Sequence, residues 1–110
     1  MINPQTLIQA LRKRKFLFTT EKVLQAELET FFKTIKNNPA RVRREYYLDD
    51  SGDSIIDFFF VDEGIGIEVK IKGSKRSIYR QLERYSKFEQ VKTLVLITNK
   101  AMGVPPTINN

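Results

Sequence analysis

Apolar residues recur at helical spacing in the first third of the chain and predict two helices there. The first begins at Asn3-Pro4, because Asn caps helices well and Pro suits the first helical turn. The second is predicted over about 21–36, with Thr19-Thr20 as its cap and Asn37-Asn38-Pro39 as its end. The apolar stripes are Leu7, Ile8 and Leu11 in the first helix, and Val23, Leu24, Leu28, Phe31, Phe32 and Ile35 in the second.

The pattern changes to that of β-strands after residue 40. β-Branched and aromatic residues are frequent in three segments, 41–48, 54–61 and 65–71. Asp49-Asp50-Ser51-Gly52 and Asp62-Glu63-Gly64 separate these segments, and both are typical of tight turns. The chain is therefore predicted to form three consecutive strands, the last two of them joined as a hairpin.

A third helix and a fourth strand complete the predicted fold. The helix is predicted over about 75–88, and 93–98 is an apolar run typical of a strand in the middle of a sheet. The inward-facing residues of the helix are Ile78, Leu82 and Tyr85. The order α, α, β, β, β, α, β predicts an α/β fold with a mixed four-stranded sheet flanked by helices. The tail, 102–110, is predicted to be irregular.

Length and composition restrict the kinds of protein that this chain can form. Its 110 residues fit a single domain, 1–110. It has no Cys and no His, which excludes disulfides, thiolate or imidazole metal sites and histidine acid–base catalysis. The sequence has no apolar run of about 20 residues and no signal-peptide pattern, so we expect a cytoplasmic protein without a membrane segment.

Charge is distributed unevenly along the chain. The 19 basic and 13 acidic residues give a net charge of +6. Residues 49–68 contain seven acids and no base, so the other 90 residues carry 19 bases and six acids, a balance of +13. A basic body around a carboxylate-rich segment suggests a polyanionic partner and a cation site.

Three charged residues of the predicted hairpin should converge. Glu68 and Lys70 are two positions apart in a strand and therefore point to the same face. The hairpin pairing places Asp57 opposite about residue 69, next to Glu68. Two carboxylates this close repel each other unless a cation lies between them. Mg²⁺ suits oxygen ligands, so we expect it to be held by Asp57, Glu68 and the Val69 carbonyl, with Mn²⁺ able to substitute.

Lys70 completes a set of groups suited to phosphodiester hydrolysis. Its ammonium group can orient or deprotonate an attacking water, or offset negative charge in the transition state. Asp57, ten further residues and then Glu68-Val69-Lys70 resemble the motif of the PD-(D/E)xK nuclease superfamily. The predicted αβββαβ order over 21–98 is similar to the core of that superfamily, although Ile56 stands before Asp57 in place of Pro. The small VRR-NUC and Holliday-junction-resolvase-like nucleases are the members that the chain resembles most.

The resemblance implies a restriction-endonuclease-like core with an extra N-terminal helix. It implies a metal-dependent endonuclease that acts on DNA, with branched or junction DNA as a candidate substrate and RNA left open. Resolvase-like members act as dimers, so a homodimer is one implied arrangement. A non-catalytic nucleic-acid-binding module on the same fold is the alternative, and a protein-interaction subunit is a third class.

Two glutamates compete for the acidic position that the family places early in the first core helix. Glu21, followed by Leu24-Gln25, resembles that pattern, but an acid in a first helical turn is also favoured by the helix dipole alone. Glu27 lies on the inward-facing stripe and has no base four residues later. We favour Glu21 as the additional catalytic residue and keep Glu27 as the alternative.

The third helix carries two further candidate groups. Gln81 and Tyr85 resemble the Gln-xxx-Tyr element of RecB-like members, which implies that they hold Lys70 or a phosphate. Basic residues cluster around them and are predicted to follow a phosphate backbone, the alternative being a solvated charged face. The predicted nucleic-acid interface comprises Lys72, Lys75, Arg76, Arg80, Arg84, Tyr85, Arg43 and Arg44, with Arg41 beside them.

Overall fold

The computed structural model describes residues 3–34 and 42–98, together with the backbone of 107–109. The elements are α1 (Pro4–Arg12), α2 (Glu21–Thr34), β1 (Val42–Tyr47), β2 (Ile55–Phe60), β3 (Ile65–Lys70), α3 (Lys75–Ser86), β4 (Thr93–Thr98) and β5 (Thr107–Asn109). The predicted order of elements up to β4 is confirmed. Residues 35–41, which include Ile35, the predicted helix end and Arg41, lie outside the described residues, as do 99–106 of the tail.

All five strands form one mixed sheet, in the order β1-β2-β3-β4-β5. The pairs β1–β2 and β2–β3 are antiparallel, and β3 and β4, which α3 connects, are parallel. β5 pairs with 93–95 of β4, so the prediction of an irregular tail is wrong at 107–109. β4 therefore has a neighbour on each side, as its apolar sequence predicts. In the described part of the chain, no helix is long and apolar enough to cross a membrane.

Side-chain caps start the helices where the sequence predicts them. Asn3 Oδ1 accepts from the Thr6 N–H at 2.8 Å, and Thr20 Oγ1 accepts from the Val23 N–H at 3.1 Å. Ser74 caps α3 in the same way. Each cap satisfies a backbone donor that the first helical turn leaves without a partner.

Helices cover both faces of the sheet and define two cores. On one face, α1 and α2 pack against alternate residues of β3, and on the other face α3 packs against β2 and β4. The first core is centred on Leu24, Leu28, Phe32, Phe58, Ile67 and Val69, and the second on Ile56, Phe59, Ile78, Leu82, Tyr85 and Leu94. Val23, predicted to face inward, is 40% exposed, because the fully buried stripe of α2 is only one residue wide.

β1 and β2 both change faces at one cross-strand position. Phe58 belongs to the α2-side core and Ile56 to the α3-side core, although a regular strand would point both the same way. The strand pairing places Glu45 and Asp57 between the pairs Arg44↔Phe58 and Tyr46↔Ile56. Glu45 has φ +52°, which a non-glycine residue rarely adopts. The side chains of β1 and β2 therefore switch from one face of the sheet to the other at Glu45 and Asp57.

β3 comes close to β2 and β4 at Gly66. A Cβ at this position would overlap Ile56 Cδ1 and lie 2.9 Å from Leu94 Cδ2. Ile56 and Leu94 are themselves buried. The hydrogen side chain of Gly66 is therefore required for α3-side packing.

Replacement of Gly66 by Ala should destabilise the fold by about 1–3 kcal/mol, because the added methyl group overpacks a closed core. Urea unfolding measures this cost. Ile56→Val removes the overlapping Cδ1, so the cost of Gly66→Ala should fall clearly in an Ile56→Val background. An equal cost in both backgrounds would contradict the packing explanation.

Candidate active site at the ends of β2 and β3

At the candidate site, two carboxylate side chains take the place of the backbone carbonyls that would otherwise accept hydrogen bonds between β2 and β3. The described pairing of these strands runs to Phe58↔Ile67, and the next facing positions are Asp57 and Glu68. The Asp57 N–H donates to Glu68 Oε1 at 3.0 Å. The Val69 N–H donates to Asp57 Oδ2 at 2.7 Å. Asp57 thus lies opposite Glu68, one position from the predicted register, and each acid accepts a hydrogen bond from the backbone of the other strand.

Glu68 is the most deeply buried charged group of the site, with 1% of its surface exposed. Burial, followed by the neighbouring charge of Asp57, raises the pKa of Glu68 to about 8. The pKa of Asp57 is also raised, mainly by burial, while the Val69 amide and Lys70 act in the opposite direction. The pair therefore favours holding a proton, or an equivalent positive charge, between its carboxylates.

Lys70 lies on the same face as Glu68, as its position in β3 predicts. Its Nζ atom is 3.9 Å from Glu68 Oε2, at the outer limit of an ion pair. Its side chain is 27% exposed, so it can be reached from solvent. The ammonium group is therefore attracted to the buried acid and remains accessible to an incoming anion.

Glu21 is brought to the site and Glu27 is not. Glu21 Oε2 accepts from the Ile71 N–H at 2.9 Å, just after β3 ends, and its charge raises the pKa of both Asp57 and Glu68. Glu27 Oε1 instead accepts from the Leu17 N–H at 2.7 Å. The alternative predicted for Glu27 therefore loses its geometric basis, because this carboxylate holds the loop between α1 and α2.

Gln81 and Tyr85 form a hydrogen-bonded chain that ends on β2. Gln81 Nε2 donates to Tyr85 Oη, and Tyr85 Oη donates to the Ile55 carbonyl, each at 3.0 Å. Burial and the nearby charge of Glu68 raise the pKa of Tyr85. Tyr85 is only 2% exposed, which corrects its predicted contact with nucleic acid: its ring belongs to the core, and its hydroxyl supports the strand that carries Asp57.

The predicted basic residues separate into three groups. Arg76, Arg80 and Arg84 line one groove on α3, of about 450 Å³, together with Ser74, Ser77, Ile78 and Gln81. Arg44 instead pairs with Glu29 at 2.9 Å and reaches Gln25 of α2. Arg43, Lys72 and Lys75 are exposed. The α3 arginines therefore form a shared surface, whereas the charge of Arg44 is already compensated.

Glu45 is an acid near the site that the sequence analysis does not identify. It lies opposite Asp57 in the strand pairing, and its charge contributes to the raised pKa of Asp57. Its backbone adopts a left-handed conformation within β1. The only sequence signal is an acid in a basic and aromatic strand, which by itself does not indicate a site.

The acids suit a hard divalent cation with few protein ligands. Among residues 3–34 and 42–98, no group of three or more acids forms a ready metal cage. Mg²⁺, however, is commonly held by one or two carboxylates and several waters. Asp57 and Glu68 meet that requirement, and a cation would offset the burial and the neighbouring negative charges that raise their pKa values. The contact that Val69 makes at this site is the hydrogen bond from its backbone N–H to Asp57.

No family model, no curated protein and no solved structure matches the chain. The chemistry of the acids and of Lys70 is therefore the basis for a functional assignment.

The raised pKa of Glu68 makes stability pH-dependent in a defined direction. The folded state holds its proton up to about pH 8 and the unfolded state only up to about 4.5, so the folded state binds more protons between these values. Without divalent metal, the free energy of unfolding should therefore decrease as pH rises through this window. Urea unfolding at several pH values tests this. Glu68→Gln should flatten the decrease, and Glu83→Gln on the exposed face of α3 should not.

Proposed function

We propose that this protein is a metal-dependent endonuclease that hydrolyses DNA phosphodiester bonds on a restriction-endonuclease-like core. The observation that carries the proposal is the convergence of Asp57, Glu68 and Lys70 at the adjoining ends of β2 and β3. Burial of two mutually repelling acids beside an accessible lysine is costly for a purely structural cluster. A cation and a phosphate would compensate both charges.

The proposed roles follow from the position of each group. Asp57 and Glu68, with the Val69 carbonyl, would hold Mg²⁺, and Mn²⁺ can substitute. When bound, the ion supplies Lewis-acid polarisation of the scissile phosphate. Lys70 orients the attacking water and offsets the negative charge that develops on the phosphate oxygens. Its distance of 3.9 Å from Glu68 leaves its ammonium protons available for this role.

In this proposal, Glu21 and Gln81 act through neighbouring residues and do not touch the metal or the phosphate. Glu21 fixes the chain just after β3 by accepting from the Ile71 amide, which holds Lys70 in place. Gln81 orients Tyr85, which supports β2 through the Ile55 carbonyl. Gln81 also lines the arginine groove, so it connects the catalytic groups with the surface proposed to bind DNA.

The arginine groove supplies the proposed contact with the phosphate backbone. Successive arginines are four residues apart on α3, so they are spaced about 6 Å along one side of the helix. Exposed Lys72 and Lys75 extend this surface towards β3. This surface of positive charge would bind the phosphates of DNA and of RNA alike. In a homodimer, two such surfaces would face one duplex.

A second candidate function is non-catalytic nucleic-acid binding. The observation that favours it is that backbone amides of the opposite strand already bind both acids. Such contacts would be useful if the acids served only to join β2 and β3. This candidate predicts DNA binding without metal that Glu68→Gln does not change.

The proposed nuclease activity requires a divalent metal, the two carboxylates and the ammonium group of Lys70. Purified protein should cut DNA within a panel of single-stranded, duplex, flap and four-way substrates when Mg²⁺ or Mn²⁺ is present. Asp57→Ala, Glu68→Gln and Lys70→Ala should each reduce the rate by at least about 100-fold, because each removes a group that stabilises transition-state charge.

The matched controls for these variants are Glu83→Gln and Lys87→Ala, which make the same charge changes at exposed positions of α3 and its C-cap. Both should retain the wild-type rate. Failure of the wild-type protein to cut any substrate with either metal would refute the enzyme assignment, and thermal unfolding would identify variants that lose activity by losing the fold.

Binding to DNA should depend on salt through the α3 arginines. Arg80→Ala should weaken binding and reduce the slope of log K against log salt concentration by about 1, the value for one lost phosphate contact. Arg44→Gln should leave that slope unchanged, because Glu29 already compensates its charge. Fluorescence anisotropy of a labelled duplex in EDTA measures both. Equal effects of the two variants would place the DNA elsewhere.

A further inference from the structure

A second groove lies away from α3, between α1, the loop after α1 and the end of β4. Its volume is about 480 Å³. Among the described residues, most of its lining is apolar and comes from Ile8, Leu11, Phe16, Phe18, Val95, Leu96 and Ile97. The basic lining residues are Arg12, Arg14 and Lys15. An apolar floor is thus combined with positively charged side chains.

The loop that forms one wall of this groove is held in place. Glu27, at the middle of α2, accepts from the Leu17 N–H at 2.7 Å. Phe16 packs edge-on against Phe31 of α2, with 5.6 Å between ring centroids. The Arg14 guanidinium lies over both rings, 5.6 Å from the Phe16 centroid and 5.2 Å from the Phe31 centroid. The wall is therefore organised before any partner binds.

Two features of the groove indicate the chemistry of its partner. Of the described residues that line it, three are basic and none is acidic, so an anion is favoured. Phe18 is 37% exposed at the groove, which leaves an aromatic surface available for contact. Flat apolar groups linked by negative charges match these features together, and unpaired nucleotides are of this kind.

The groove reaches the end of β4 that pairs with the end of β3 carrying Lys70. Thr98 lines it, and Thr98 is the register partner of Lys70 across the parallel pair β3–β4. Val95 and Ile97 of the groove pack on the α1 side of the sheet, whereas Glu68 and Lys70 alternate with the α1-side residues of β3 and face the α3 side. A strand that leaves the groove would therefore pass around the end of the sheet to reach Lys70. This position suits a part of the same nucleic acid that the acids would cut.

We propose that this groove binds an unpaired base of single-stranded nucleic acid, with its phosphates on Arg12, Arg14 and Lys15. The inference rests on the proposed function in that it adds a single-stranded segment to the substrate. Single strands are generally bound by aromatic surfaces beside basic side chains, because every base has a flat face. A duplex keeps its bases stacked inside and cannot fill an apolar groove in this way.

Binding in EDTA tests the inference separately from cleavage. The probes are a short labelled oligothymidylate, a duplex of the same length and an abasic strand of the same length, followed by fluorescence anisotropy. Phe18→Ala should weaken binding of the oligothymidylate by about 5-fold or more, the low end of the effect of losing one stacked base. Binding of the abasic strand and of the duplex should not change.

Neighbouring residues of the same loop provide matched controls. Leu17 is 59% exposed and lies outside the groove lining, so Leu17→Ala should have little effect. Lys15 lines the groove and Lys13 does not, so Lys15→Ala should weaken binding of the oligothymidylate more than Lys13→Ala. Phe18→Leu keeps an apolar side chain and should rank between wild type and Phe18→Ala. Thermal unfolding should show all variants folded.

Several outcomes would overturn the inference. Equal effects of Phe18→Ala and Leu17→Ala, or equal wild-type affinity for the abasic strand and the oligothymidylate, would exclude base insertion. A dimer in sedimentation that Phe18→Ala dissociates would assign the groove to a second copy of the chain. A protein that binds oligothymidylate as described but cuts no substrate would refute the proposed nuclease activity while supporting this site.

Discussion

A carboxylate buried in the middle of a β-sheet imposes the main constraint on this structure. Glu68 has almost no solvent to stabilise its charge, so its surroundings must supply protons, amide donors or cations. Asp57 supplies a backbone amide but also a second negative charge, which makes the requirement stronger. Lys70, with its ammonium group 3.9 Å from Glu68 Oε2, supplies a compensating positive charge beside this buried pair. The stability of the fold and the proposed chemistry therefore depend on the same atoms.

Asp57 and Glu68 also keep β2 and β3 joined where the regular backbone hydrogen bonding between these strands ends. Beyond Phe58↔Ile67, side-chain oxygens rather than carbonyl oxygens accept the backbone N–H groups that join β2 to β3. β1 compensates on its side, where Glu45 adopts a left-handed conformation opposite Asp57. The distortion is thus shared by β1 and β2, while β3 keeps its regular pairing with β4. Such local departures from regular geometry are common where a sheet must direct polar groups to one point.

Periodic features of the sequence were sufficient to predict the order of elements up to β4, and local features were sufficient to predict which charged residues of β3 share a face. The alternation of Glu68 and Lys70 and the turn at Asp62-Glu63-Gly64 depend only on nearby residues, so the sequence reveals them. The choice between Glu21 and Glu27 depends on contacts 50 and 10 residues away along the chain, which no pattern encodes. Burial of Tyr85 and compensation of Arg44 likewise depend on tertiary neighbours. β5 was not predicted because its three residues are too few to show the alternation typical of a strand.

Tyr85 has a consequence for spectroscopy. The chain contains four tyrosines and no tryptophan, so its near-ultraviolet absorption and intrinsic emission come mainly from tyrosine. Tyr85 is the buried member of this group, with a hydroxyl bonded to the backbone of β2 and a ring that senses the charge of Glu68. Any event that changes this charge alters the field on a chromophore that is already present. We therefore expect tyrosine absorption to respond to the charge of the buried acid without any label.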